Sequence, residues 1–239
     1  MMKDTLWLVK YDFKTGWKWH LMMFPVLVAI VYIFLKFSLG DVDAYFAQPV
    51  FGGDLFYVIG YSGLVGLFSF RENLNPKRLR FNDYHIPFVR LLREMNVQAT
   101  VIVDFYMMKA IYSITIVNVV IAYLLYPNWI NILSMTDYIY FILFSLAAGY
   151  ILGFWSVAIY PIREYITVTV ITTIVLVILI FAGSIIFFLI LEDGFLGFVI
   201  KGIKRFGLLV PVATFLFGMV NYYFAKRVMV RLIERRDFE

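Results

Sequence analysis

A chain of 239 residues that is 63% hydrophobic, 20% aromatic and only 15% charged carries more apolar surface than a soluble fold of that size can bury. Its net charge of +5 collects at the ends of apolar runs, a pattern set by membrane topology and anionic lipid rather than by nucleic acid. The absence of cysteine excludes disulfides, thiolate metal sites and cysteine nucleophiles.

Unbroken runs of Leu, Ile, Val and Phe, about 17 to 25 residues each, are long enough to cross about 30 Å of hydrocarbon as helices. The expected class is an all-α polytopic membrane protein; a barrel would show short segments of alternating polarity. The N-terminal segment lacks a small-residue cleavage site after its first apolar run, so it is expected to be retained. Over residues 4–17, Leu6, Val9, Phe13 and Trp17 recur at helical spacing beside Lys3, Lys10, Lys14 and Lys18. That pattern predicts an amphipathic helix on the membrane surface, opened by Asp4 and ended by Gly16.

Six spans are expected. The first covers about 21–39, entered through Trp17 and Trp19, and the second about 51–70, where Gly60, Gly63 and Gly66 permit close packing. Residues 71–104 form the longest water-compatible segment, a basic loop. The third span, about 105–126, is ended by Pro127 and Asn128; the fourth, about 138–160, carries Gly149 and Gly153 at small-xxx-small spacing. Past a short turn holding Arg163 and Glu164 comes the fifth, about 166–191. Residues 192–207 are apolar, punctuated by glycine and too short to cross, which predicts one or two short helices dipping into the outer interface. The sixth span, about 206–224, is followed by a basic tail.

The cations sort with this layout. Lys3, Lys10, Lys14, Lys18, Arg71, Lys77, Arg78, Arg80, Arg90, Arg93, Arg163, Lys226, Arg227, Arg231, Arg235 and Arg236 fall on one side, against Lys36, Lys201, Lys204 and Arg205 on the other. The positive-inside rule then places both termini in the cytoplasm of a bacterial-type plasma membrane.

Chemistry finds little purchase. His20 and His85, the only histidines, lie at or beyond span boundaries, and the sequence has no HExxH, no Gly-x-Ser-x-Gly and no phosphate-binding Gly-x-x-x-x-Gly-Lys. The chain itself is therefore expected not to be an enzyme, and to carry no catalytic, metal or cofactor site. Asp104 and Lys109 are the candidates for a polar pathway or a relay, because charge inside a span is costly. Five positions put them about 140° apart on a helix, so they do not face one another. The simpler reading lets Asp104 reach water and Lys109 snorkel. Arg163 and Glu164 read either as a solvated turn or as a docking point for a cytoplasmic partner.

A surface helix, six spans, a long basic loop after the second, a short turn after the fourth and a dipping apolar segment before the sixth together resemble the permeases of type 2 ABC exporters, specifically the small peptide or bacteriocin exporters. In that family the loop after span two ends in a coupling helix opened by a pattern like Leu-Pro-Val-Ser-Arg. The corresponding stretch here is Met95 to Val103, which lacks that proline and arginine and would use Asn96 as its helix cap. A second register, with Pro87 opening a helix through Phe88, Val89, Leu91 and Leu92, is equally sound. The resemblance implies a permease without its own ATPase, partnered by a cytoplasmic ABC ATPase that binds ATP and magnesium and by a second permease chain, identical or sister, in membrane lipid. It implies coupling residues at Arg90, Arg93, Asn96, Val97, Thr100, Val101, Ile102, Arg163 and Glu164, and export of an amphipathic peptide or similar amphiphile. An ATP-independent channel or carrier and a non-transporting scaffold are the competing classes.

Overall fold

The computed structural model describes residues 4–11, 95–129, 133–158 and 194–235, with single positions 14, 25, 29 and 92. The spans expected at 51–70 and 166–191 lie outside the described residues, as do loop residues 71–91 and, apart from positions 25 and 29, the span at 21–39. Among the described residues every regular element is a helix: α1 (Ala99–Trp129), α2 (Met135–Ala158), α3 (Gly194–Phe206) and α4 (Leu209–Arg235), besides a helical segment at 4–11. Ala99–Leu124 and Met135–Trp155 are long and apolar enough to cross a membrane, and the bent pair α3–α4 is a third candidate. The described part of the chain is all-helical, with two to three helices long and apolar enough to span a membrane.

Helix α1 opens where the Gln98 carbonyl accepts the amides of Val101 (3.0 Å) and Ile102 (3.2 Å), several residues before the start expected near 105. Ala99 to Val103 belongs to the helix because its side chains bury; Ile102 and Val103 are fully covered. At its other end α1 passes through Pro127, expected to stop it, and reaches Trp129. A proline in the last turn removes a single backbone bond. Trp129 is fully buried and stacks on Phe141 at 4.8 Å, which holds that turn in place.

Helix α2 begins at Met135, earlier than the expected 138, because Ser134 caps it. The Ser134 hydroxyl donates to Asp137 Oδ2 (2.7 Å), and the Asp137 amide donates back to Ser134 Oγ (3.2 Å). α2 runs antiparallel to α1: the Tyr138 hydroxyl donates to the Ala122 carbonyl near one end, and Thr115 and Tyr150 share a hydrogen bond of 2.9 Å further along. It runs parallel to α4, since Tyr140 lies against Gly207, Tyr150 against Phe215, and Trp155 Nε1 donates to Asn221 Oδ1 (3.0 Å). Gly149 and Gly153 are both buried, as their spacing suggested.

At Gly218 the backbone of α4 faces α2 closely. A Cβ there would lie 3.7 Å from Ile151 Cγ1 and 3.9 Å from the Ala147 carbonyl oxygen, room for a methyl group and nothing larger. Gly218→Ala is accordingly expected to raise stability by up to about 1 kcal/mol through helix propensity. Gly218→Leu is expected to lower it by about 1–3 kcal/mol by forcing the helices apart. Thermal midpoints of the detergent-solubilised chain check both; a Leu variant as stable as the parent overturns the packing argument.

The segment before α4 is one helix, α3. Leu196, Val199, Ile200 and Ile203 form its buried stripe, and Phe195 packs near Phe144 at 6.4 Å. Its last turn closes with the Gly207 amide on the Ile203 carbonyl (2.7 Å), and Gly207, at φ 56°, turns the chain by 115° into α4. The basic tail expected after residue 224 is, through Arg235, a continuation of α4. Ala225, Met229 and Ile233, each fully buried, recur every four residues and carry the helix on against the core.

At the N-terminus, residues 4–11 are helical as expected, but the inward face differs from the Leu6–Val9 stripe. Thr5 and Leu8 are buried and Val9 packs on the core, whereas Leu6, Trp7 and Tyr11 are exposed, Trp7 stacking on Tyr11 at 5.5 Å. An exposed aromatic pair on a surface helix is what a lipid interface accommodates.

Candidate functional site

The described charges nearest the apolar bundle gather at one end of it. Asp104, in the second turn of α1, accepts a hydrogen bond from Lys226 Nζ on α4 at 2.5 Å, and the two side chains retain 18% and 30% exposure. An ion pair so placed joins the start of α1 to the far part of α4, at the end of the bundle opposite Gly207. Lys109 is buried and faces elsewhere: its ammonium lies over the Phe105 ring, 5.8 Å from the centroid. Asp104 and Lys109 thus do not form a pair, as their angular separation required.

Lys226 was hidden from sequence reasoning because it stands where an apolar run gives way to a basic one. The signal that could have found it is complementarity: in a six-span layout, Asp104 at the start of span three and Lys226 at the end of span six fall at the same membrane boundary with opposite signs.

Several polar groups within the bundle are answered by the protein. Asn118 is buried and its Nδ2 reaches the Ile114 carbonyl at 3.4 Å; Asn221 accepts from Trp155 and donates to the Phe217 carbonyl at 2.9 Å; Thr115 donates to the Ile111 carbonyl at 2.8 Å as well as meeting Tyr150. Of these, the Thr115–Tyr150 and Trp155–Asn221 contacts join helices. Among the described residues no three His, Cys, Asp or Glu side chains come together.

The stretch Met95 to Val103 has a geometry that its sequence did not announce. Leu92 is helical, and its carbonyl accepts the Val97 amide at 2.9 Å across a left-handed Asn96, φ 57°. That six-to-one closure is the Schellman ending of a helical turn, so Asn96 finishes one helix instead of capping the start of the next, the role expected of it. Asparagine suits the position because its short polar side chain tolerates the left-handed region. Of the expected coupling residues, Asn96 is exposed, Val97 and Thr100 are half-buried, and Val101 and Ile102 face the core. The exposed positions of this stretch are Met95, Asn96 and Gln98. Arg90, Arg93, Arg163 and Glu164 lie outside the described residues, as does the alternative register from Pro87 to Leu91.

Comparison with protein-family models, with curated proteins and with solved structures finds no match to this chain.

Proposed function

We propose that the chain is the membrane-spanning permease subunit of an ATP-driven exporter of the type 2 ABC kind, supplying half of a pathway for an amphipathic peptide or similar amphiphile. The observation that carries the reading is the α3–α4 corner: a short amphipathic helix, bent by 115° at Gly207 from the long helix that follows, standing where the exporter layout has its dipping segment. The parallel course of α2 and α4 supports it, because the fourth and sixth spans of such a layout point the same way. The tight turn at Asn96, exposed at the end of the bundle where Asp104 lies, supports a coupling element there. A separate cytoplasmic ATPase hydrolyses ATP in this scheme, and its closure moves the turn and rocks α1 with it. A second permease chain completes the pathway.

Thr115 bonds Tyr150 and Trp155 bonds Asn221 across helix pairs, which favours helix joining over the open ion path of a secondary carrier. Expression with the neighbouring genes, mild detergent extraction and pull-down test the proposal. A roughly stoichiometric ATPase whose turnover rises in the presence of the chain is the expected result. A monodisperse, folded sample that brings no ATPase overturns it and leaves the carrier or scaffold readings.

A further inference from the structure

Helix α4 packs along α2, which is long and apolar enough to cross a membrane, and α3 meets α4 at 115°. α3 therefore lies roughly across the membrane normal, rising toward its C-terminal end before the chain turns back down at Gly207. Its rotation about its own axis is fixed by the burial of Leu196, Val199, Ile200 and Ile203. At 100° per residue, that stripe forces Phe198, Lys201 and Arg205 onto the opposite side and leaves Lys204 on the flank. All four are exposed, Phe198 at 47%. Phe198, Lys201 and Arg205 stand at i, i+3 and i+7, one line along the helix, with Lys204 beside it.

We propose that this face binds anionic phospholipid. The cations sit on the higher, C-terminal half of α3, at the level where lipid phosphates lie, and no acidic side chain interrupts them on the helix. Phe198 stands on the same line about one turn nearer the N-terminus, where a phenyl ring beside the cations suits the lipid interface. Phe206, Leu208 and Leu209, exposed at the corner, add apolar contact beside the charges. An acidic protein partner would match the cations alone; the aromatic and aliphatic groups exposed beside them match a lipid surface, which offers anionic headgroups and apolar chains together. The inference rests on the placement of α3 and stands apart from the transport proposal.

The test uses the full chain, which has no cysteine, so that Leu208→Cys introduces a single labelling site at the corner. A fluorophore there is followed in nanodiscs as headgroup-spin-labelled phosphatidylglycerol, or equally labelled phosphatidylcholine, is added at matched density. Quenching by phosphatidylglycerol is expected to exceed that by phosphatidylcholine, with the excess reduced by salt. Substituting Lys201→Gln, Lys204→Gln and Arg205→Gln together is expected to abolish the excess, each cation contributing about fivefold in local lipid enrichment. The charge-preserving set Lys201→Arg, Lys204→Arg and Arg205→Lys is expected to keep it. Equal quenching by the two lipids in the folded, labelled Leu208→Cys chain overturns the proposal without any change to the cations; so does an excess unchanged in the folded glutamine variant.

Discussion

Asp104→Lys is expected to lower the stability of the chain by about 2–4 kcal/mol, and addition of Lys226→Asp to restore most of that loss. Exposed ion pairs contribute about 0–1 kcal/mol. Breaking a fully buried one costs about 3–5 kcal/mol, because a charge is stranded. At 18% and 30% exposure the Asp104–Lys226 pair lies between these limits, and reversal adds repulsion to the loss. The pair also links residues 122 positions apart, so its loss frees the start of α1 from α4 instead of disturbing one helix locally. Thermal midpoints in detergent, at low and high salt, check this. Single variants as stable as the parent, or a double variant no better than the singles, overturn the view that the pair holds the two helices together.

Ile102→Glu and Met95→Glu are expected to fail in different ways, although only seven positions separate them. Ile102 is wholly buried; a carboxylate there has no partner and costs about 3 kcal/mol or more, so the variant is expected to lose most of its folded yield. Met95 is 65% exposed, and its replacement is expected to change stability by no more than about 0.5 kcal/mol. If the turn at Asn96 meets the proposed ATPase, Met95→Glu reduces stimulation of ATP hydrolysis about tenfold, the about 1.4 kcal/mol of a central interface residue. Asn96→Gly keeps the left-handed turn and is expected to leave folding intact. Size-exclusion profiles and ATPase assays on the same samples separate the outcomes. Full stimulation by a folded Met95→Glu chain removes this turn from the coupling path.

The difference between those two residues marks what the sequence alone could not tell. Val101 and Ile102 were expected to face a partner because the resemblance places a coupling helix there; the burial of Ala99 to Val103 against the rest of the bundle is a property of neighbours distant in sequence. Asn96 looked like the start of a helix because asparagine is good at both ends, and only the Leu92–Val97 bond across a positive φ decides which. Pro127 looked like a stop because its ring bars a helix interior, yet the stacked Trp129 and Phe141 draw the chain through one more turn.

By itself the sequence determined the class. Long apolar runs must be helices in lipid, since no water remains to satisfy their backbones, and this fixed the all-helical membrane protein and the short helix ahead of α4. It also separated Asp104 from Lys109, because helical geometry is local. The tertiary structure decided what depends on which helices touch. It gave Asp104 its partner in Lys226, turned Thr5 and Leu8 inward at the N-terminus, and carried α4 to Arg235 on buried Ala225, Met229 and Ile233. Hydropathy sets whether a segment enters the membrane; the side chains of other helices set which face it turns, where it ends and which charge it meets.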